Sequence, residues 1–418
     1  MPLPPPQPKK PMDGLTRRSL LKASGVAGAS ALLAGAAKVS WDEVMGRAAA
    51  TPLAAGTRIL VLVTMYGGND GLNTVVPYAD PAYHDARPEL AYRPEEVLHL
   101  DDQLGLNPGL KGLSQLWQDK KLAVVRGVGY PKPDHSHFRS MDIWQTASPE
   151  RPVSTGWIGR WLDVAGDDPL LALNIGDVLP PLAVGASATA AALSLATAPQ
   201  GRAGRDAVIA QLAKSDPGDS PAAAKVAASY AAVQRVRTTF TPAVASTSTP
   251  GAPKGGGGRQ SSLADQLGLV ARCIRAGAPT RVYAVSVSGF DTHADEKIAQ
   301  TAQLTSVDQA LTGFRSAVAG HQREGDIVVM AYSEFGRRVR ANASQGTDHG
   351  TAGPVFVIGD TVRPGFHGDQ PSLTDLDDGD LRTTTDFRAV YGEVLHTVLQ
   401  TDPSRVLDKP RAPLGFLA

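Results

Sequence analysis

Aspartate and histidine residues are concentrated in four short motifs, and these residue types can bind a divalent cation. The motifs are GGNDGLN at 67–73, DHSHFR at 134–139, SGFDTH at 288–293 and GTDHG at 346–350. Each motif follows a predicted strand or lies in a loop marked by glycine or proline. Loops held by a rigid scaffold commonly carry binding and catalytic residues. The four motifs therefore form the candidate functional site.

Five residues of these motifs are candidate metal ligands. Asp70 follows the first predicted strand, and its flanking glycines let the carboxylate project towards a cation. Asp291 and His293 are two residues apart, so in an extended segment they point the same way and could bind one ion. Asp348 and His349 could share an ion if the chain turns between them. Oxygen and nitrogen ligands without cysteine suit zinc, manganese or magnesium, whereas the alternative is a set of polar turns without any ligand.

Three further residues could do chemistry beside such an ion. Ser136 lies between two histidines and could be a nucleophile activated by a neighbouring base or by a metal. Glu334 ends another predicted strand and could be a general base, a partner of a metal ligand or a helix cap. Arg337 begins an arginine-rich stretch that could bind an anionic substrate or could be solvated surface charge.

Strands that alternate with helices are predicted to position these loops. Apolar runs rich in valine and isoleucine indicate buried strands at 57–66, 122–128, 281–287, 326–332 and 354–358. Helical patterns are found at 110–119, 158–164, 263–276, 304–319 and 387–399. Because the strands lack strict alternation, both sheet faces should be covered. We expect an α/β fold with a mostly parallel central sheet sandwiched by helices.

Composition limits the classes of partner and the domain organisation. The 418 residues include 41 Lys and Arg and 41 Asp and Glu, so no basic surplus favours a nucleic acid. The single cysteine, Cys273, lies in a predicted helix and can form no internal disulfide. We expect one domain over 51–418, with a cap or insertion at about 183–259 that ends in a flexible glycine-rich linker at 246–258.

Residues 1–50 are predicted to be an export leader. Paired arginines in TRRSLLK at 16–22 precede a weakly apolar stretch at 23–37, which is typical of a twin-arginine signal peptide. Small-residue cleavage sites occur at 34–36 and at 48–50, and the sequence leaves open whether the leader is cleaved or retained as an anchor. The expected partner is the twin-arginine export machinery, and the expected location is the periplasm, the cell envelope or the outside of the cell.

The motifs and their order resemble a family of exported proteins, the domain of unknown function 1501 (DUF1501). The similar stretches are GGNDGLNTVVP from residue 67, SHF from 136, GFDTH from 289, SEFGR from 333, GTDHG from 346 and DFRAVYGEVL from 386. They cover nearly all of the chain from about residue 57 onwards. The resemblance implies an alkaline-phosphatase-like fold, with metal sites on strand-end loops, as in the alkaline-phosphatase and sulfatase superfamily.

The resemblance also implies two sets of metal ligands. The cofactor-independent phosphoglycerate mutases of that superfamily have residues that look like Asp70, like Asp348 with His349, and like Ser136 as nucleophile and ligand. A further site is implied at Asp291 and His293, with His367 as an additional ligand. Because Asp291 and His293 are two residues apart rather than four, this site departs from the family pattern, and either one or two ions are expected.

The implied function is a metal-dependent hydrolase or transferase for a phosphate or sulfate ester, on a small molecule or a polymer. Ser136 would be the covalent nucleophile, and Arg337 would neutralise charge that develops on the substrate. The alternative is a non-catalytic exported protein that uses the same fold to bind or assemble with an envelope partner. A sulfatase with a formylglycine nucleophile is disfavoured because Cys273 is far from every motif.

Overall fold

A ten-stranded sheet forms the centre of the protein in the computed structural model, which describes residues 38–176, 178–195 and 261–418. The strands are β1 (Lys38–Val39), β2 (Ile59–Tyr66), β3 (Leu122–Gly129), β4 (Ala172–Ile175), β5 (Ala191–Leu193), β6 (Val282–Ser288), β7 (Ile327–Tyr332), β8 (Gly353–Gly359), β9 (Gly365–His367) and β10 (Thr385–Asp386). Their order in the sheet is β1-β5-β4-β6-β2-β7-β8-β3-β9, and β10 also pairs with β3.

Only β8 runs against the other strands of this sheet. It is antiparallel to both of its neighbours, β7 and β3, whereas the remaining pairs are parallel. In the middle of the sheet, Val61 of β2 lies opposite Tyr283 of β6 and Val329 of β7. The mostly parallel sheet expected from the sequence is therefore confirmed. The beginning of β8 lies at the edge where its neighbours end.

Helices cover both faces of the sheet. They are α1 (Trp41–Ala50), α2 (Pro81–Ala86), α3 (Lys111–Gln118), α4 (His137–Thr146), α5 (Trp157–Ala165), α6 (Leu263–Arg275), α7 (Glu296–Val318) and α8 (Phe387–Glu393), which continues into a π-helical turn at Val394–Val398. One face is packed by α4, α5 and α8, and the other by α1, α3, α6 and α7. None of these described helices is long and apolar enough to cross a bilayer.

The pattern of β2 explains why both faces are covered. Leu60 and Leu62 pack into one apolar cluster, and Val61 and Val63 pack into another on the opposite face. All four side chains are fully buried. Because burying one such side chain stabilises a fold by about 1.5–3 kcal/mol, a strand of this composition is stable only with apolar layers on both sides. The predicted helix–sheet–helix sandwich follows from this pattern.

Two small sheets lie outside the central one. Val75–Val76, Leu98–His99 and Gly105–Leu106 form a three-stranded antiparallel sheet, and Leu376–Asp377 pairs with Asp380–Leu381. They border a third apolar cluster of buried residues. Strands of two residues carry no measurable periodicity, so the sequence did not predict them.

The folded domain begins earlier than residue 51, the start expected from the sequence. Residues 38–50, assigned above to the leader, form β1 and α1, and Val44 of α1 is fully buried. The expected insertion also does not begin at 183, because β5 is a strand of the central sheet. The rest of the insertion, with the linker at 246–258, and the paired arginines at 17–18 lie outside the described residues.

Candidate functional site

Several of the polar motifs meet at the edge of the sheet where the parallel strands end. The loop after β6 carries Asp291 and His293, and the loop before the reversed strand β8 carries His349. α4 follows β3 and begins with His137, and Glu334 lies just after β7. Because β8 is antiparallel, the loop that precedes it reaches the same edge as the loops that follow the other strands. The topology thus brings residues from distant parts of the sequence together.

Three imidazole rings surround one carboxylate oxygen at this edge. The Oδ1 atom of Asp291 is 3.0 Å from Nε2 of His293, 3.2 Å from Nε2 of His349 and 3.4 Å from Nε2 of His137. The Nε2 atoms of His293 and His349 are themselves 3.0 Å apart. Four ligands placed tetrahedrally at zinc-like distances would be about 3.3–3.4 Å from one another. The observed separations are close to this spacing.

A subset of these residues is a compact ligand group by distance alone. In the described ranges, His137, Asp291 and His349 each offer one ligand atom, and these atoms lie within 4.8 Å of one another. The Nε2 atom of His137 is buried and has no hydrogen-bond partner among the described residues. A buried ring nitrogen without a partner is costly unless another group binds it. The site therefore fits a metal ion.

Polar partners fix the rings of two of these histidines. Nδ1 of His137 donates to Oε1 of Glu334 at 2.9 Å, and Glu334 is also held by the backbone N–H of Gly67 at 2.9 Å. Nδ1 of His349 donates to the carbonyl oxygen of His135 at 2.7 Å. Because a carbonyl or an ionised carboxylate can only accept, both Nδ1 atoms carry the proton. Each Nε2 atom then presents a lone pair, as a metal ligand must.

The protonation states of the acid and of one ring suit metal binding. Burial by itself would raise the pKa of Asp291, but the hydrogen bond and the positive charge of Arg337 outweigh it and lower the pKa to about 2. The pKa of His349 is lowered, chiefly because burial disfavours the charged ring. Near neutral pH, Asp291 is therefore a carboxylate and His349 is a neutral imidazole, which are the forms that bind metals.

Arg337 is a structural clamp rather than the substrate-binding residue expected from the sequence. Its side chain is fully buried and cannot contact a substrate. Its guanidinium group donates to three loops: the loop after β2, the loop after β6 and the 346–350 motif. The acceptors are the carbonyl oxygens of Gly67, Gly68, Phe290 and Thr347 and a carboxylate oxygen of Asp291. The guanidinium group of Arg337 therefore holds these three loops together.

Two glycines allow the loops to approach this closely. Gly67 has a φ of 119°, and a Cβ atom there would be 2.5 Å from the backbone nitrogen of Asp291. A Cβ atom on Gly346 would lie 2.2 Å from the carbonyl carbon of His293. A side chain at either position would separate loops that carry the aspartate and the histidines of the cluster. The glycines of the GGNDG and GTDHG motifs thus have a packing role.

Asp70 does not join the cluster, contrary to the expectation that it binds a metal. It is fully buried and forms a two-pronged ion pair with Arg87, in which Nη2 of Arg87 is 3.0 Å from Oδ1. Arg87 is anchored in turn on the carbonyl oxygens of Val339 and Arg338. With both of its oxygens used by one guanidinium group, Asp70 acts as a structural residue beneath the site.

Two further predicted ligands, Asp348 and His367, have different surroundings. Oδ1 of Asp348 is 3.5 Å from Nδ1 of His293 and accepts from Asn342 at 3.2 Å. Asp348 therefore contacts the Nδ1 side of the His293 ring, whereas the Nε2 atom of that ring faces Asp291. His367, expected as a ligand, lies on β9, where its Nε2 atom pairs with the carbonyl oxygen of Arg363 at 2.8 Å. No contact of His367 involves the cluster among the described residues.

Ser136 lies beside the cluster at the N-terminus of α4. It is exposed, it occupies the N-cap position, and its hydroxyl group does not cap the helix. Its two neighbours both touch the site, since the carbonyl oxygen of His135 binds His349 and His137 is one of the three converging rings. The hydroxyl group is thus available at the positive end of a helix, where an oxyanion is favoured.

His137 is the site residue that the sequence interpretation missed. In the DHSHFR motif the sequence indicates Ser136 as nucleophile and ligand, and it predicts no helix after the motif. Met141 and Trp144 are both buried and three residues apart, which is the spacing of a helix face. That spacing could have indicated a helix beginning near His137, with the ring in its first turn.

Comparison with solved structures finds distant similarity of fold. A protein of the alkaline phosphatase superfamily from Vibrio parahaemolyticus is 10% identical over 89% of this chain and 79% of its own, with a TM-score of 0.40. The lipoteichoic acid synthase LtaP from Listeria monocytogenes is 10% identical over 96% and 82%, with a TM-score of 0.38. Alkaline phosphatase from the Antarctic bacterium TAB5 is 11% identical over 73% and 92%, with a TM-score of 0.32. All three TM-scores are below 0.5, so the site is assigned from its own geometry.

Sequence comparison gives a family but no characterised relative. No curated protein matches the chain. The model of the family described as a protein of unknown function, DUF1501, matches residues 179–411, which is more than half of the chain and includes the strands and loops that carry Asp291, His293, Glu334 and His349. The chain therefore belongs to the DUF1501 family.

Proposed function

We propose that the protein is an exported, metal-dependent hydrolase or transferase that acts on a phosphate or sulfate ester. The observation that carries this proposal is the convergence of three imidazole rings on the carboxylate of Asp291. Export is supported by the twin-arginine pattern at 16–22. The chemistry is supported by Ser136, which lies beside the converging rings with an uncommitted hydroxyl group.

The donor set favours zinc over magnesium. Three imidazole nitrogens and one carboxylate oxygen suit a tetrahedral transition-metal ion, whereas magnesium prefers six oxygen ligands. His137, Asp291, His293 and His349 would hold the ion. An ion bound there would supply Lewis acidity towards an ester oxygen and lower the pKa of a nearby hydroxyl group. One ion is proposed, because Asp70 and His367 have other partners.

The residues of this chain supply the nucleophile and its surroundings. Oγ of Ser136 would form a bond to phosphorus or sulfur as the bond to the leaving alcohol breaks, and the proton lost by Ser136 is gained by that alcohol. The positive end of α4 would stabilise the alkoxide form of Ser136. Water or a second alcohol would then attack the phosphorus or sulfur atom of this seryl ester, break its bond to Oγ and return a proton to Ser136. The acceptor, water or an alcohol, distinguishes a hydrolase from a transferase.

The metal centre predicts which substitutions abolish ion binding. We expect the wild-type protein to bind about one zinc ion per chain and Asp291→Ala to lower the affinity at least about 100-fold, because it removes the only anionic ligand. Glu334→Gln should lower it about 10–100-fold through the ring of His137. Titration calorimetry with zinc, together with elemental analysis after dialysis, measures both effects.

The control for this experiment is His367→Ala, which removes a histidine outside the cluster and should leave zinc binding unchanged. If neither zinc, manganese nor magnesium binds to the wild-type protein, or if Asp291→Ala binds zinc as well as the wild type does, the metal-dependent function is wrong. The search should then turn to envelope proteins that bind this fold.

Ser136 predicts a separate loss of activity. We expect Ser136→Ala to retain zinc and the melting temperature of the wild type but to hydrolyse p-nitrophenyl phosphate or sulfate at least about 1,000-fold more slowly, because the covalent route is lost. Ser306→Ala is the matched control, since Ser306 is an exposed serine on α7. Equal rates for Ser136→Ala and the wild type would exclude Ser136 as the nucleophile.

A further inference from the structure

We infer that residues 38–50 are a permanent part of the exported domain, so that any proteolytic removal of the leader cuts the chain before Lys38. The sequence offers two small-residue cleavage sites, at 34–36 and at 48–50. The structure distinguishes them, because the second lies inside a folded and packed element. This inference concerns processing and does not depend on the metal centre.

The first observation is that β1 is a strand of the central sheet. Lys38 and Val39 pair in parallel with Ala192 and Leu193 of β5. Val39 is buried and belongs to the apolar cluster between the sheet and α6 and α7. A cut at residue 50 would remove this strand and expose the backbone edge of β5, which is an unpaired edge of the kind that promotes aggregation.

The second observation is that α1 has the features of a stable, docked helix. Ser40 and Glu43 form a reciprocal capping box at its N-terminus, with hydrogen bonds of 2.6 and 3.3 Å. Val44 and Ala48 are buried on the face towards the sheet. The helix thus contributes to the same core as the central strands.

Side chains of α1 also contact other helices and loops. Arg47 donates to Asp168 at 2.5 Å, from the loop that follows α5. The ring of Trp41 lies under the guanidinium group of Arg272 of α6, with 5.4 Å between the carbon atom and the ring centroid. These contacts join α1 to segments more than 100 residues away along the chain. Removal of α1 would take these contacts away from Asp168 and Arg272.

The third observation is that the cleavage site at 48–50 is helical. It forms the last turn of α1, and the backbone N–H of Thr51 closes that turn by donating to Arg47 at 2.8 Å. A peptidase binds its substrate as an extended strand, so this turn would have to unwind and Ala48 would have to leave the core. A protein that folds before export, as expected for a twin-arginine substrate, would meet the peptidase with this turn already formed.

The experiment follows the full chain through export. The whole protein would be produced in a bacterium with a twin-arginine system, recovered from outside the cytoplasm, and analysed by intact mass and N-terminal sequencing. We expect an N-terminus at or before Lys38, and a retained leader is equally consistent because it keeps 38–50. An N-terminus at Thr51, or anywhere after Lys38, would overturn the inference.

A stability measurement on the exported form provides an independent test. Val44→Ser places a polar atom in the core and should lower the melting temperature by several degrees. Ala49→Ser changes an exposed position on the same helix and should shift it by less than about one degree. If the two variants melt at the temperature of the wild type, residues 38–50 are not part of the folded exported protein. Zinc binding plays no part in either test, so a failed metal proposal would leave both results interpretable.

Discussion

Replacing Arg337 by methionine should lower the free energy of unfolding by about 3–5 kcal/mol and disorganise the site loops. Methionine has a similar length and is apolar, but it cannot donate to the carbonyl oxygens of Gly67, Gly68, Phe290 and Thr347. The carbonyl oxygen of Phe290 keeps the backbone N–H of Thr292, but those of Gly67, Gly68 and Thr347 would lose their bond to Arg337, and an unsatisfied buried group costs about 1–3 kcal/mol. Urea denaturation at neutral pH measures the change.

The matched control for this prediction is Arg338→Met, at the next position along the chain. Arg338 is about one-third exposed and its nearest carboxylates, on Asp378 and Asp380, are both 3.6 Å away. Its loss should cost less than about 1 kcal/mol, because Asp378 is almost fully exposed and the buried Asp380 keeps its closer partner, His135, at 2.8 Å. If Arg337→Met is as stable as Arg338→Met yet inactive, the clamp is wrong and the sequence-based role of Arg337 in substrate binding is restored.

The fold was largely predictable because its signals are local. Runs such as 57–66 are apolar at every position, and that pattern requires a strand covered on both faces. The helical runs 158–164 and 263–276 correspond to α5 and α6 within one or two residues. The strand order and the reversal of β8 could not be read in this way, because they depend on pairing between segments far apart in sequence. The two-residue strands were also beyond prediction.

The candidate site was predictable in part, for a similar reason. Asp291 and His293 come together as their spacing predicted, although the backbone N–H of Thr292 donates to the carbonyl oxygen of Phe290 and closes a tight turn at Asp291. His349 joins them because glycines on both sides allow a close turn. Asp70 has the same sequence signature as a strand-end ligand, yet its carboxylate turns to Arg87, which lies 17 residues away and has no recognisable motif. A residue type and its spacing cannot distinguish a metal ligand from half of a buried ion pair.

Ser136 and His137 illustrate a second limit. They are adjacent, and the first turn of α4 determines which of the two side chains enters the cluster. A difference of one residue rotates a helical side chain by about 100° around the axis. The exact start of a helix is the least certain feature of a sequence-based prediction, so the sequence alone could not show which of the two side chains enters the cluster.

Beneath the cluster of Asp291 and the three histidines, two carboxyl groups and one guanidinium group share a buried space. Burial, followed by the negative charge of Asp70, raises the pKa of Glu296 to about 9. Burial would also raise the pKa of Asp70, but the charge of Arg87 outweighs it and the net shift is downward. Glu296 therefore keeps its proton near neutral pH and donates it to Asp70. Its other oxygen accepts the hydroxyl of Thr347, from the 346–350 motif, at 2.5 Å.

Glu296→Gln is consequently expected to stabilise the protein more at pH 8 than at pH 5. Between the ordinary glutamate pKa of 4.5 and the raised value, the folded protein holds a proton that the unfolded chain has released, so wild-type stability falls as pH rises through this window. Glutamine keeps a donor for Asp70 and an acceptor for Thr347 but cannot ionise. The gain over wild type should therefore grow by about 2–4 kcal/mol from pH 5 to pH 8, as measured by urea denaturation at both values.

Glu95→Gln, at an exposed position, should show no such growth. Parallel pH profiles for Glu296→Gln and wild type would mean that Glu296 is ionised in the native protein and that Arg87 balances two carboxylates instead of one.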